Sequence, residues 1–243
     1  MAGKKKACLA LIVVFAILLG TTASAWALTY KVGVVEGNGT STYYSLGTNG
    51  YLTAYSSTMP SSAAAPNAHV QSIFVYWKPT TGSPLNMVEV GWSQGWYQGT
   101  YPGGPFGPHP TPNHFWALAI QYNGTSGGYW AQDICPDGLG ETHQYRLDYG
   151  GAVGGGQYRW CYFVDTNNVA NLNAQLPYGF SVVGCERNTL NTVNSGTFWN
   201  MYRKSLSSVW QIYVGPREFM DNDPNYDLRM DISPHPYQFY ISR

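Results

Sequence analysis

The sequence predicts an all-β fold: a two-sheet antiparallel β-sandwich, jelly-roll or concanavalin-like, with about ten strands. Three observations predict it. Runs of β-branched and aromatic residues recur at short spacing, separated by Gly, Pro, Asn and Ser. Charged residues make up only 11% of the chain while Phe, Trp and Tyr reach 16%, which is poor material for solvated helices. No repeat of about 20–50 residues is evident, which disfavours a propeller or solenoid.

The strands are expected in this order. Thr29 to Val35 is the first and Gly50 to Ser56 the second, followed by a loop of small residues and prolines from Thr58 to Asn67. Val70 to Trp77 and Met87 to Trp92, joined by the turn Pro79 to Pro84, form a hairpin. Gly99 to Pro112 is too rich in Gly and Pro for a regular element, and a loop of that length is usually functional or disordered. Phe115 to Tyr122, Gly128 to Ile134, Thr142 to Tyr149 and Gln157 to Val164 follow as strands. Ala170 to Gln175 reads as a short helical turn or a loop. Phe180 to Arg187, Gly196 to Tyr202 and Val209 to Gly215 complete the regular part, and Asp221 to Arg243 reads as irregular and polar.

Residues 1–27 have the build of a secretory signal peptide. Lys4, Lys5 and Lys6 precede the apolar run Ala7 to Gly20, and Ala25-Trp26-Ala27 places small residues where a signal peptidase reads, so cleavage is expected before Leu28. Residues 28–243 are then a single domain, secreted and extracellular, with no membrane span after cleavage. Three of the thirteen basic residues and none of the thirteen acidic ones lie in the leader, so the remainder carries a net charge of −3. With no basic patch, nucleic acid is excluded as a partner. Export leaves Cys135, Cys161 and Cys185, enough for one disulfide and an odd thiol. Cys161 and Cys185 both sit in strand-like segments and could bridge neighbouring strands.

Common catalytic signatures are missing: there is no His-Glu-x-x-His and no phosphate-binding loop. The five histidines have no ligand spacing, so neither a metal nor a cofactor is expected. Glutamate is scarce, with five in the chain, and two of these interrupt apolar strands. In Val88-Glu89-Val90-Gly91-Trp92, alternation puts Val88, Val90 and Trp92 on one face and Met87, Glu89 and Gly91 on the other. Glu186 shares a face with Phe180, Val182 and Gly184. A carboxylate on an apolar strand costs free energy unless it is paired or faces water. Either both point out on a solvated face, or both point into one cleft. Two carboxylates held close share a proton, and such a pair can run acid–base chemistry on a water.

Gln71-Ser72-Ile73-Phe74-Val75 followed by Val88-Glu89-Val90-Gly91-Trp92 resembles the opening of the neprosin domain, in which a Ser-Gln-Ile type strand precedes a Glu-Ala-Gly-Trp type motif. Val183-Gly184-Cys185-Glu186 resembles that family's second glutamate motif. Phe115-Trp116-Ala117, Tyr158-Arg159-Trp160 and Leu176-Pro177-Tyr178 fall where the family has aromatic segments. The resemblance spans about residues 29–215, leaving 216–243 as a C-terminal extension. It departs from plant members in lacking their Gly-Cys-Tyr-Asn motif and their long N-terminal activation segment, which points to a bacterial- or fungal-type relative. Neprosins are secreted glutamic peptidases that cleave after proline. The resemblance therefore implies a polypeptide substrate and Glu89 and Glu186 as the catalytic pair, one activating water and the other protonating the leaving amine or stabilising the oxyanion. It predicts both carboxylates within hydrogen-bond reach of one water in an open groove. Trp92, Trp96, Tyr97 and Trp116 are candidate substrate-binding aromatics. The alternatives left open are a non-catalytic surface or carbohydrate-binding module, and a glycosidase using the same two carboxylates.

Overall fold

The computed structural model describes residues 30–37, 41–53, 68–77, 86–95, 113–123, 126–136, 141–187, 196–219, 227–231 and 238–242. The leader, the Gly- and Pro-rich segment 99–112, and the candidate residues Trp96 and Tyr97 lie outside them. Fifteen strands are present among the described residues: β1 Tyr30–Glu36, β2 Ser45–Thr53, β3 Ala68–Trp77, β4 Asn86–Gly95, β5 Asn113–Asn123, β6 Ser126–Pro136, β7 Thr142–Gly154, β8 Gln157–Val164, β9 Asn167–Ala174, β10 Phe180–Arg187, β11 Gly196–Ser205, β12 Trp210–Ile212, β13 Pro216–Phe219, β14 Asp227–Asp231 and β15 Gln238–Ser242. One sheet runs β13-β1-β10-β3-β4-β5-β6; the other runs β14-β15-β11-β2-β7-β8-β9, with β12 on β11. All these strand pairs are antiparallel. The architecture is the expected two-sheet, jelly-roll-like sandwich.

Two expectations change. Ala170 to Gln175 is neither helical nor loop: Asn167–Ala174 is strand β9, at an edge of the second sheet. The C-terminal stretch is not irregular either. Pro216–Phe219 pairs with β1, and Asp227–Asp231 and Gln238–Ser242 join the second sheet through β11. In β9 polar residues with weak strand propensity are recruited by the ladder with β8, and β15, which carries Phe239, Tyr240 and Ile241, is held by a ladder with the distant β11; local pattern reveals neither pairing.

Period-two alternation builds the core. From the first sheet Val34, Ile73, Val75, Val88, Val90, Trp92 and Val183 point between the layers. They meet Leu52, Tyr145, Leu147, Trp160, Tyr162 and Phe198 of the second. Each such side chain contributes about 1.5–3 kcal/mol by leaving water. Two buried hydrogen bonds cross this interior: the Trp160 Nε1–H donates to the Leu176 carbonyl at 2.8 Å, and Ser181 Oγ donates to Ser45 Oγ at 2.9 Å, linking β10 to β2. The β7–β8 hairpin turns through Gly154, Gly155 and Gly156, all at positive φ, where side chains other than glycine are strained. At the β8–β9 turn Asp165 holds His143 Nδ1 at 2.9 Å, while Glu141 lies 3.1 Å from its Nε2.

Cys161 and Cys185 do not bridge. Cys161 is a half-buried free thiol on β8, alternating with the core residues Trp160 and Tyr162, whereas Cys185 is buried on β10 of the other sheet and faces the core. The cysteine side chain is too short to join opposite faces of two layers packed about 10 Å apart.

Candidate active site

The face of the first sheet turned away from the core carries Glu89. In β4 the core takes Val88, Val90 and Trp92, which leaves Met87, Glu89 and Gly91 on the other side. The register then aligns neighbours across the sheet. Val35, Val182, Phe74 and Glu89 form one row over β1, β10, β3 and β4. Gly33, Gly184, Ser72 and Gly91 form the next. Lys31, Glu186, Val70 and Ser93 form the third. The middle row holds nothing larger than serine, so it is a low floor crossing four strands. Glu89 is positioned on one bank and Glu186 on the other.

Glu89 is only 4% exposed and lies beside the buried Phe74 and Val182. Its carboxylate accepts a hydrogen bond from the buried Ser72 hydroxyl at 2.5 Å. Its charge is felt across the interface: burial first, and then Glu89, hold the Tyr162 phenol of β8 well above its ordinary range. Glu186 sits two strands from Glu89 and four residues along, because Glu89 pairs with Phe74 while Glu186 pairs with Val70. On a flat sheet that offset separates the α-carbons by roughly 16 Å, from strand spacings of about 4.8 Å and a rise of about 3.3 Å per residue. Closing both carboxyls on one water therefore requires both side chains to lean over the floor row.

The aromatic candidates divide. Trp92 is fully buried in the core cluster, on the face opposite Glu89. Trp116 occupies the position on β5 paired with Gly91. Sequence reasoning missed a role for Ser72. The available signal was a lone hydroxyl residue in an apolar strand paired with the glycine that follows Glu89 by two positions.

A second buried carboxylate, Glu36, lies on the opposite face of the same sheet, with the core residue Val34. It accepts backbone hydrogen bonds from Val214 at 2.8 Å and Gly215 at 3.4 Å, and lies 3.9 Å from the Arg203 guanidinium. Burial raises its carboxyl above the ordinary value, against the pull of the Val214 and Gly215 N–H groups, Arg203 and the Gly37 N–H. Among the described residues, no group of three His, Cys, Asp or Glu side chains could hold a metal ion.

No protein-family model matches the chain. No curated protein matches its sequence. Among solved structures, scytalido-glutamic peptidase with a peptide-based transition-state analogue is similar over 89% of this chain and 98% of its own, at 10% identity and a TM-score of 0.45. SCP-B, a member of the eqolisin family of peptidases in complex with a tripeptide, is similar over the same shares, at 10% identity and a TM-score of 0.41. A Bacillus licheniformis β-glucanase is similar over 87% of this chain and 76% of its own, at 12% identity and a TM-score of 0.36.

Proposed function

We propose that this chain is a secreted glutamic endopeptidase of neprosin type, with Glu89 and Glu186 as its catalytic pair. The observation that supports the reading is the register, in which the Glu89 and Glu186 positions lie in the rows on either side of Gly33, Gly184, Ser72 and Gly91. An extended polypeptide crossing the strands over that row would pass between the Glu89 and Glu186 positions. One carboxylate takes a proton from water as the water oxygen attacks the scissile carbonyl carbon. The other, protonated, gives its proton to the amide nitrogen as the C–N bond breaks, and the proton gained by the first restores the pair. Because one member must carry a proton, activity belongs to acidic pH. The motif resemblance adds cleavage after proline, and Trp116, paired with Gly91 in the β4–β5 ladder, is the aromatic position we assign to the groove. Trp92 we assign to the core rather than to substrate.

The test is hydrolysis of a denatured protein at acidic pH by the secreted chain and its Glu89→Gln and Glu186→Gln variants. Cleavage by wild type and its loss in both variants is expected. Cleavage that survives either substitution sinks the assignment, and retention on a glycan matrix with no cleavage at any pH supports a binding module instead.

A further inference from the structure

We infer that Ser72 is the positioning residue of Glu89, and that the Glu89-x-Gly91 spacing exists to admit it; the inference rests on the peptidase reading for its kinetic consequence. The Ser72 hydroxyl is buried, 1% exposed, and bonds the carboxylate of Glu89 diagonally across the β3–β4 ladder. Ser72 pairs directly with Gly91, not with Glu89. A Cβ at position 91 would lie 2.5 Å from the Gln71 carbonyl oxygen and 2.7 Å from the Ser72 Cβ, distances that real side chains do not adopt. Only glycine at this position lets β3 approach closely enough to leave Ser72 where it is. The neighbours Phe74 and Val182 are apolar and buried. In such surroundings a hydroxyl or a carboxylate without a partner carries a desolvation cost, so the two hold each other in place.

Two effects follow. A glutamate has three rotatable side-chain bonds, and a short bond from a fixed hydroxyl selects one arrangement of the carboxyl above the floor. A hydrogen bond donated to the carboxylate also favours its ionised form and opposes the effect of burial. Ser72 therefore governs both where the Glu89 carboxyl sits and at what pH it loses its proton.

The test uses Ser72→Ala, Ser72→Thr and Gly91→Ala in the full chain, with thermal melting to confirm folding. Glu89 is followed in two ways: steady-state peptidase kinetics across pH, and carbon NMR titration of its carboxyl, assigned by its absence in Glu89→Gln. Ser72→Ala is expected to lower kcat roughly tenfold with KM unchanged, the loss of one hydrogen bond to a charged group, and to move the Glu89 titration upward by about one pH unit. Ser72→Thr keeps the hydroxyl and restores both readings. Gly91→Ala displaces Ser72 and reproduces the alanine phenotype. If Ser72→Ala does not fold, Ser72→Cys, similar in shape and a weak donor, must show the same upward titration. Titration and kcat unmoved in Ser72→Ala, or in Ser72→Cys in its place, overturn the positioning role even if Glu89→Gln abolishes cleavage. A chain that never cleaves peptide, but whose Glu89 titration moves in Ser72→Ala and returns in Ser72→Thr, overturns the peptidase reading and keeps the positioning role.

Discussion

Glu36 and Glu89 are both buried carboxylates on strands of the same sheet, and they occupy opposite faces of it with different partners. Glu36 shares the inward face with Val34, and its oxygens are taken up by backbone N–H groups of the segment before β13 and by the nearby Arg203, itself against the Tyr43 ring. Every partner belongs to the scaffold. Glu89 shares the outward face with Gly91, and it accepts a hydrogen bond from the hydroxyl of a residue in the floor row. A carboxylate whose bonds go to the backbone stores its free energy in the fold.

The largest test of this contrast is catalytic. Glu89→Gln is expected to lower peptidase kcat by about a thousandfold, within the range for removing a general acid or base, while Glu36→Gln leaves the rate near wild type. Equal losses in both would erase the distinction. The stability contrast runs the other way. Glu36→Ala leaves the Arg203 guanidinium, 8% exposed, without its counter-charge. It is expected to cost about 3 kcal/mol in denaturant unfolding, against less than about 1 kcal/mol for Glu89→Gln, which keeps an acceptor for Ser72.

A pH series sharpens the difference further. Burial lifts the Glu36 carboxyl above its ordinary 4.5, so the folded chain holds that proton more tightly than the unfolded one. The linked stability is complete below the unfolded value and is lost as pH rises through the folded one. The Tm of wild type minus that of Glu36→Gln should therefore fall as pH is raised from about 4 to 7, and a flat difference would remove Glu36 as a titrating group. The smallest effect is expected where charges meet near solvent. Lys204 Nζ lies 2.6 Å from Asp148, with both side chains part-exposed. Lys204→Met should change stability by about 0.5 kcal/mol or less, several times under the Glu36 substitution.

Much of this was legible in sequence, where local chemistry dictates structure. Gln157–Val164 and Phe180–Arg187 are strands over the residues their patterning predicted, because alternating apolar side chains leave few other ways to bury one face. The split of Val88, Val90 and Trp92 from Glu89 follows from the same period. It also resolves Trp92, which shares parity with two core valines and so belongs with them rather than with a substrate. The asparagine-rich β9 was illegible because its strand character comes from the ladder with β8. The C-terminal strands were illegible because β15 pairs with β11 some forty residues away.

By itself, then, the sequence determined the all-β class, the alternation within each strand, and the unusual cost of a glutamate at positions 89 and 186, since these depend only on residue type and a two-residue period. The tertiary structure decided which strands are neighbours and in what register. That alone sets Gly33, Gly184, Ser72 and Gly91 in one row, places Glu89 and Glu186 on either side of it, and brings the Ser72 hydroxyl to Glu89. The physical reason is that a side chain's face is a local property of its own strand, whereas its neighbours across a ladder are set by backbone hydrogen bonds between segments distant in the chain.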